Sequence, residues 1–244
     1  DEQLIYKAYF NKNANTVDYT KWDTKVVVFV DTGANNVFQP ANEYDNIISN
    51  DVTISGTVVV TIEGLNQVFK QNVTITQGTE VNVTVDLGVL TGIDMWMPNK
   101  FGKQTLYQFK ANFVVNGVSD EGITKEYGFR KIEVIQDPLP SGRSFYFRIN
   151  GVNIPIHGSN WIPTYALDNS NQSVNTETLE PLFIALYESN QNMIRNWGGG
   201  IYQKKEFYEL ANKYGILIWE DFMFACAAYW DNGEFLQSVK KESV

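Results

Sequence analysis

The chain has 244 residues, of which 43% are apolar and 19% charged, a composition typical of a globular protein and unlike a disordered or collagen-like one. Its 28 acidic and 19 basic side chains give a net charge of −9, which argues against a nucleic-acid partner. No run approaches the roughly 20 apolar residues of a membrane-spanning helix. The sequence therefore predicts neither a nucleic-acid nor a membrane partner.

Cysteine and histidine each occur once, as Cys226 and His157. These counts exclude an internal disulfide and a zinc site built on cysteines, and they leave few options for a histidine-based triad. Cys226 lies in the apolar run 222–228, where we expect a buried, unreactive thiol. Carboxylate, amide and aromatic chemistry remain for a functional site.

The chain up to the Pro- and Gly-containing segment 137–142 consists of short runs rich in Val, Ile, Thr and Tyr, separated by Gly, Asn and Asp. The predicted strands are 25–30, 52–62, 67–75, 80–86, 106–115 and 123–135. Apolar side chains alternate strictly from Tyr107 to Val115, and the Asn116-Gly117 pair that follows suits a tight hairpin. This pattern predicts an antiparallel β-sandwich, whose likeness to antibody domains is one of architecture because their paired cysteines are absent.

After Pro140 strands begin to alternate with helices. In chain order the predicted elements are a hairpin at 145–156 turning at Asn150-Gly151, a helix at 179–187, a strand at 192–197, a helix at 207–214 ending at Gly215, and a strand at 216–219. Pro181 is compatible with the first helix only in its first turn. The last strand is continuously apolar, which predicts burial on both faces in a parallel sheet. In such a fold the functional residues follow the carboxyl ends of the strands.

Three segments at these strand ends combine a tryptophan with an amide, guanidinium or carboxylate group. They are HGSNWIP at 157–163, RNWGGG at 195–200 and WEDF at 219–222. A sugar stacks its C–H faces on indole rings, and its hydroxyls need donors and acceptors in fixed positions. One such segment alone would be interpreted as structural, but three at successive strand ends favour a binding site. The three glycines lack the phosphate-loop patterns, so we interpret them as a tight turn.

Residues 145–230 resemble the start of the catalytic barrel of β-mannosidases in glycoside hydrolase family 2, through the stretches GSNWIP, NWGGGIY and FYELANKYGILIWEDFMFACA. Trp96-Met97-Pro98 and the stretch 104–107 resemble the immunoglobulin-like domain that precedes this barrel. The resemblance covers essentially the whole chain, more loosely before residue 90. It implies an immunoglobulin-like antiparallel β-sandwich at 1–137, followed at 138–244 by the first about three βα units of an incomplete (β/α)8 TIM barrel.

The resemblance also implies roles for individual residues. Arg195 and Trp197 match family residues that hold the terminal mannose, and Asp221 matches a carboxylate that binds its hydroxyls. Asn160 and Trp161 match the loop after the first strand, which we expect to support the pocket. The family needs no metal and no organic cofactor, and its partner is an oligosaccharide with terminal β-mannose.

Retaining hydrolysis uses two carboxyl groups about 5–5.5 Å apart, which the family places as glutamates at the ends of the fourth and seventh strands, the former directly after an asparagine. The Asn42-Glu43 pair lies among the β runs and is predicted to be a surface loop. Glu220 and Asp221 are adjacent, so they point to opposite faces and cannot flank one glycosidic bond. We therefore expect the chain to contain no catalytic residue and to be an inactive fragment, with both catalytic glutamates beyond Val244.

The implied function is that of part of a retaining exo-β-mannosidase, which removes terminal non-reducing β-D-mannose from oligosaccharides and glycoproteins. The parent protein would add an N-terminal sugar-binding domain and the rest of the barrel. Two alternatives stay open: another family 2 exo-glycosidase of the β-galactosidase or β-glucuronidase type, and a non-catalytic β-sandwich module that binds carbohydrate or protein. Acidic composition and the glycosylation sequons at Asn72, Asn82 and Asn171 favour a lysosomal or secreted location.

Overall fold

The computed structural model describes residues 4–9, 21–31, 53–76, 80–163 and 176–243. The chain divides into two compact units, the first made of 1–96, 105–133 and 148–152 and the second of 97–104, 134–147 and 153–244. The predicted domains 1–137 and 138–244 stay a prediction. Asn171 and the Asn42-Glu43 pair lie outside the described residues.

Antiparallel strands build the first unit. In chain order they are β1 (Leu4–Tyr9), β2 (Lys21–Asp31), β3 (Thr53–Ile62), β4 (Gln67–Thr76), β5 (Glu80–Thr91), β6 (Tyr107–Val115), β7 (Val118–Ser119) and β8 (Ile123–Tyr127). One sheet has the order β1-β2-β5, and the other has the order β4-β3-β6-β7 with β8 also paired to β6. The predicted antiparallel, β-rich character of this part is confirmed.

Alternating side chains of both sheets form one apolar core in this unit. Val58 and Val60 of β3 and Phe109 of β6 are buried, and so are Val83 and Val85 of β5 in the other sheet. Burial of each such side chain stabilises the fold by about 1.5–3 kcal/mol. The predicted period of two therefore corresponds to an inner and an outer face of each strand.

Two Asn-Gly pairs make the tight turns that the sequence predicts. Asn116 and Gly117 join β6 to β7 with φ of 51° and 80°, and Asn150 and Gly151 have φ of 49° and 83°. Positive φ at both central residues is the requirement of a two-residue hairpin turn. The second pair joins β10 (Tyr146–Ile149) to β11 (Val152–Ile154), which lie in a sheet of order β11-β10-β9 with β9 (Ile132–Ile135).

The prediction of one continuous strand over 123–135 is wrong, because the chain leaves the sheet between β8 and β9. The carbonyl of buried Phe129 accepts the backbone N–H of Trp96 at 2.9 Å. The guanidinium of Arg130 lies over the indole of the same tryptophan, 4.4 Å from the ring centre. These contacts replace ladder hydrogen bonds, and burial lowers the pKa of Arg130.

Parallel strands alternate with helices in the second unit. In chain order its further elements are β12 (Gly158–Trp161), α1 (Thr176–Glu188), β13 (Met193–Asn196), α2 (Lys205–Tyr214), β14 (Leu217–Glu220) and α3 (Gly233–Glu242). The sheet has the order β12-β13-β14 with both pairs parallel. Strands and helices thus alternate as predicted, while the closed eight-stranded barrel stays a prediction.

The helices bury one face each against this sheet. Leu179 and Phe183 of α1 pack with Phe207 of α2 and Ile194 of β13 in a single apolar cluster. Helix α2 ends at Gly215, whose φ of 74° is the left-handed conformation predicted for a C-terminal glycine.

Pro181 lies in the second turn of α1 rather than the first, since the helix begins at Thr176. Proline has no backbone N–H, so only the helical hydrogen bond to the carbonyl of Glu177, in the first turn, is missing. The helix therefore continues beyond the proline, and the predicted restriction to the first turn is wrong.

Two further predictions fail near the end of the chain. Cys226 is exposed, with φ of 58°, because the apolar run around it forms an exposed loop rather than a buried segment. Strand β14 is buried only at its start, at Leu217, whereas Trp219 is 43% exposed, since the strand lies at the edge of its sheet. The sequence also left α3 unpredicted; Asn232 begins it by accepting the N–H of Phe235 at 2.9 Å.

None of the helices in the described part of the chain has the length and apolar character needed to cross a lipid bilayer. Within the same residues, no three His, Cys, Asp or Glu side chains are grouped so that they could hold a metal ion.

Candidate functional site

The carboxyl ends of three parallel strands bring the predicted polar side chains together. Asn160 of β12 is in register with Arg195 of β13, which is in register with Trp219 of β14. Register partners on parallel strands project from the same side of a sheet. Asp221 follows β14 directly, two residues after Trp219, and therefore reaches the same side.

Arg195 and Asp221 form a two-point ion pair at this edge. The Nη2–Oδ2 distance is 2.5 Å and the Nε–Oδ1 distance is 3.2 Å. Arg195 Nη1 also donates to Asn160 Oδ1 at 3.1 Å, and the backbone N–H of Gly198 donates to Asp221 Oδ2 at 3.2 Å. Such paired hydrogen bonds fix both the position and the plane of the carboxylate.

The ion pair stays accessible from solvent. The side chain of Arg195 is 42% exposed and that of Asp221 is 20% exposed. Exposed ion pairs contribute about 0–1 kcal/mol to stability, so we expect the pair to add little to the stability of the fold. Its fixed donors and acceptors are instead available to a ligand.

At each of the three glycines after β13, an added Cβ atom would lie less than 3 Å from a neighbouring atom. A Cβ atom on Gly198 would lie 2.3 Å from the carbonyl oxygen of Phe222, and one on Gly199 would lie 2.1 Å from the indole of Trp197. The N–H of Gly200 donates to the carbonyl of Trp197 at 2.9 Å, which closes a tight turn. The half-buried Trp197 ring therefore lies against the backbone of this turn at Gly199.

Trp161 lies apart from the ion pair, on the helix side of the sheet. Its indole packs against Phe183 and Phe207, with ring-centre distances of 5.9 and 5.1 Å. Its Nε1 is buried and has no acceptor among the described residues. Its carbonyl accepts the N–H of Trp197 at 3.1 Å, so Trp161 contacts the helix core through its ring and Trp197 through its backbone, and its supporting role stays a prediction.

A polar network on the helix side was not predicted. Buried Asn196 donates through Nδ2 to Glu220 Oε1 at 2.5 Å, and Tyr208 of α2 donates to Glu220 Oε2 at 2.9 Å. Burial, and next the hydrogen bond to Glu220, raise the pKa of Tyr208 to about 12. Strand alternation could have indicated this network, because it places Asn196 and Glu220 together on the other side of the sheet from Arg195 and Asp221.

His157 acts through its backbone. Its N–H donates to Asn192 Oδ1 at 3.0 Å, its carbonyl accepts the N–H of Asn192 at 2.8 Å, and its side chain is exposed. Of the sequons, Asn72 on β4 and Asn82 on β5 are both exposed. The Oδ1 of Asn72 accepts a hydrogen bond from Thr57 at 3.0 Å.

Known proteins similar to this chain in sequence include β-mannosidases. The chain is 38% identical over 195 residues to the β-mannosidase of Capra hircus, an alignment covering 78% of the chain and 22% of the goat protein. It is 41% identical over 150 residues to β-mannosidase B of Aspergillus terreus, covering 62% and 17% of the two chains. No protein-family profile matches it. The chain thus spans about a fifth of the length of these curated relatives.

Solved structures share the fold. The crystal structure of a β-D-mannosidase from Dictyoglomus thermophilum superposes with a TM-score of 0.73 at 26% identity, covering 99% of this chain and 27% of that one. A Bacteroides uniformis β-glucuronidase superposes with a TM-score of 0.67 at 14% identity, covering 91% and 23% of the two chains, and this likeness concerns the fold alone. By its sequence, the chain is a homologue of β-mannosidases over most of its own length, and it matches about a fifth of theirs.

Proposed function

We propose that the chain is part of a retaining exo-β-mannosidase, which hydrolyses terminal non-reducing β-D-mannose residues of oligosaccharides and glycoproteins. The observation that carries the proposal is the accessible Arg195–Asp221 pair at the ends of neighbouring parallel strands. The sequence identity to β-mannosidases supports the choice of sugar.

The pair has the chemistry that sugar hydroxyls require. A hydroxyl both donates and accepts, so a carboxylate and a guanidinium held side by side can bind neighbouring hydroxyls with fixed geometry. Arg195 and the N–H of Gly198 keep Asp221 in place, and Asn160 in turn holds Arg195. Trp197 supplies an aromatic ring next to these polar groups, against which a C–H face of the sugar can pack.

We assign no catalytic residue to this chain. Glu220 is bonded by Asn196 and Tyr208 on the helix side, whereas Asp221 is bonded by Arg195 on the other side. These two carboxylates therefore do not form the facing pair that retaining hydrolysis uses. We propose that both catalytic glutamates come from a part of the protein outside these 244 residues and that the reaction uses neither metal nor organic cofactor.

The similarity to β-mannosidases also supports an architecture for the parent protein. Residues 1–137 would form an immunoglobulin-like β-sandwich, and 138–244 would form the first part of a (β/α)8 barrel. The parallel order β12-β13-β14 with intervening helices supports the second assignment. An N-terminal sugar-binding domain and the rest of the barrel would complete the proposed parent protein.

The test is turnover of nitrophenyl glycosides by the full-length protein that contains this chain. We expect release of nitrophenol from the β-mannoside, with β-galactoside and β-glucuronide as comparisons, and no turnover by the 244-residue chain alone. Hydrolysis of the β-galactoside or β-glucuronide without hydrolysis of the β-mannoside would refute the proposal. Turnover of the β-mannoside by the isolated chain would refute the placement of the catalytic glutamates.

A β-glucuronidase is the second candidate, because such an enzyme shares the fold. Its sugar carries a carboxylate, which needs a cation that is not already neutralised. Arg195 is paired with Asp221 at 2.5 Å, and Asp221 would repel a second carboxylate. The pair therefore favours a neutral sugar such as mannose over a uronic acid.

We further propose a lysosomal or secreted location. Asn72 and Asn82 are exposed and begin Asn-x-Thr sequons, as surface glycosylation requires. Treatment of the native protein with an endoglycosidase would lower its mass if these sites are occupied, and an unchanged mass would count against the location.

A further inference from the structure

The ends of β13 and β14 are joined on the helix side by a hydrogen bond between register partners. Asn196 and Glu220 are paired in the parallel ladder, and the Nδ2–Oε1 distance between them is 2.5 Å. Asn196 is only 1% exposed. A buried amide bonded to a carboxylate makes a strong, directional contact, which sets the spacing of the two strand ends.

The same asparagine holds the glycine-containing loop that carries Trp197. Its Nδ2 donates to the carbonyl of Ile201 at 3.1 Å. Gln203 Nε2 donates to that carbonyl at 3.0 Å and approaches Asn196 Oδ1 at 3.4 Å. One amide group therefore connects β13, β14 and the loop between β13 and α2.

Tyr208 fixes the other end of the network. Its hydroxyl donates to Glu220 Oε2 at 2.9 Å, while Asn196 occupies Oε1. Each carboxylate oxygen thus has its own donor, and the plane of the carboxylate is set by helix α2 on one side and strand β13 on the other. The hydroxyl stays protonated at neutral pH, because its pKa is about 12.

Each residue of this network is next in sequence to a residue of the ion pair. Asn196 follows Arg195, and Glu220 precedes Asp221. The N–H of Asp221 also donates to the carbonyl of Asn196 at 3.2 Å. A shift of one strand end relative to the other would therefore change the Arg195–Asp221 geometry directly.

We infer that Asn196, Glu220 and Tyr208 are positioning residues for sugar recognition, which set the relative positions of Arg195, Asp221 and the Trp197 loop from the opposite side of the sheet. This inference rests on the proposed function for its substrate. It adds to that function a source of selectivity that touches no sugar atom, because hydroxyl recognition depends on donor and acceptor positions within fractions of an ångström.

The first experiment monitors the environment of Arg195 and does not depend on enzymatic activity. The Arg195 Nε–H signal in a 15N-resolved NMR spectrum of the purified chain is assigned by its loss in Arg195→Lys. We expect Glu220→Ala to shift this signal and speed its exchange with water, whereas Glu220→Gln, whose amide oxygen can still accept from Asn196, retains both. An unchanged signal and exchange rate in Glu220→Ala would overturn the inference.

The second experiment measures selectivity in the full-length protein. We expect Glu220→Ala to lower kcat/KM for nitrophenyl β-mannoside by about 10- to 100-fold and to lower its ratio to that for the β-glucoside, while Glu220→Gln stays near wild type. An equal loss for both sugars that tracks a loss of Tm would show a merely structural role and overturn the inference.

Should Glu220→Ala fail to fold, Tyr208→Phe replaces it in both experiments, since it removes one hydroxyl; an unchanged Arg195 signal and unchanged selectivity in that variant overturn the inference. Should the wild-type protein hydrolyse no β-mannoside, the proposed function fails, and the NMR measurement alone decides whether the network positions Arg195.

Discussion

The two sides of the parallel sheet use the same three strands for different purposes. On one side, Asn160, Arg195 and Asp221 form an accessible charged cluster. On the other side, Trp161 packs into the aromatic core of the helices, and Asn196 is buried. The charged pair on the exposed side contributes little to stability, whereas the apolar cluster on the helix side buries side chains that stabilise the fold. We therefore expect stability and direct sugar contact to respond to substitutions on different sides of the sheet.

The largest expected effect belongs to the helix side. Phe183→Ala removes a ring that is 0% exposed and contacts Trp161 and Phe207. We expect it to lower the free energy of unfolding by about 3–5 kcal/mol, measured by urea titration with tryptophan fluorescence. The matched control is Leu182→Ala, next in the helix but 38% exposed, which should cost clearly less. Equal losses in the two variants would contradict the two-sided description.

Asp221→Ala should lower activity strongly and change stability little. It removes the carboxylate that Arg195 and Gly198 hold, and with it the acceptor proposed for sugar hydroxyls. We expect kcat/KM of the full-length protein for nitrophenyl β-mannoside to fall by about 100-fold or more, while the free energy of unfolding changes by less than about 1 kcal/mol. Asp231→Ala, which removes an exposed carboxylate from the following loop, is the control. A β-mannoside activity that survives Asp221→Ala would remove Asp221 from the site.

A smaller effect is expected at the turn between the two sides. Gly198→Ala would place a Cβ 2.3 Å from the carbonyl oxygen of Phe222 and 3.1 Å from the Cβ of Asp221. Since neither neighbour is a flexible side-chain end, the backbone must move, and we expect a loss of about 1–3 kcal/mol. Gly233→Ala, where nothing lies within 4 Å, is the control for the same change. Wild-type stability in Gly198→Ala would show that the turn is less tightly packed.

Local sequence signals were sufficient for much of the fold. The Asn116-Gly117 and Asn150-Gly151 turns, the period of two in β6 and the end of α2 at Gly215 all depend on residues close in sequence. The break between β8 and β9 does not, because it depends on bonding between Trp96 and Phe129, 33 positions apart. Competition from such distant contacts cannot be read from periodicity.

The candidate site shows the same division. Strand ends identified Arg195, Asp221 and Asn160 as candidates, and the structure brings these three together. Their pairing depends on strand register, which sequence periodicity leaves open. Strand alternation could place Asn196 and Glu220 on one side of the sheet, but no local pattern adds Tyr208 of α2 to their network.

The smallest expected effect concerns the pH dependence of the helix side. The pKa of Tyr208 is raised from 10.0 to about 12, chiefly by burial and then by its bond to Glu220. A group whose pKa is higher in the folded state contributes stability that is fully present below the unfolded value and is lost as the pH rises through the folded value. The stability difference between wild type and Tyr208→Phe should therefore be constant below pH 10 and should change between pH 10 and 12 in favour of the variant.

Urea titrations of both proteins at matched pH measure this difference. Because the other tyrosines titrate in both proteins, their contribution to the free energy of unfolding cancels in the difference. Tyr229→Phe is the control, because its exposed hydroxyl bonds only backbone groups of its own loop among the described residues. A stability difference for Tyr208→Phe that stays constant up to pH 12 would mean that the hydroxyl is neither desolvated nor bound to a carboxylate. The helix side would then lack the anchor that connects α2 to the end of β14.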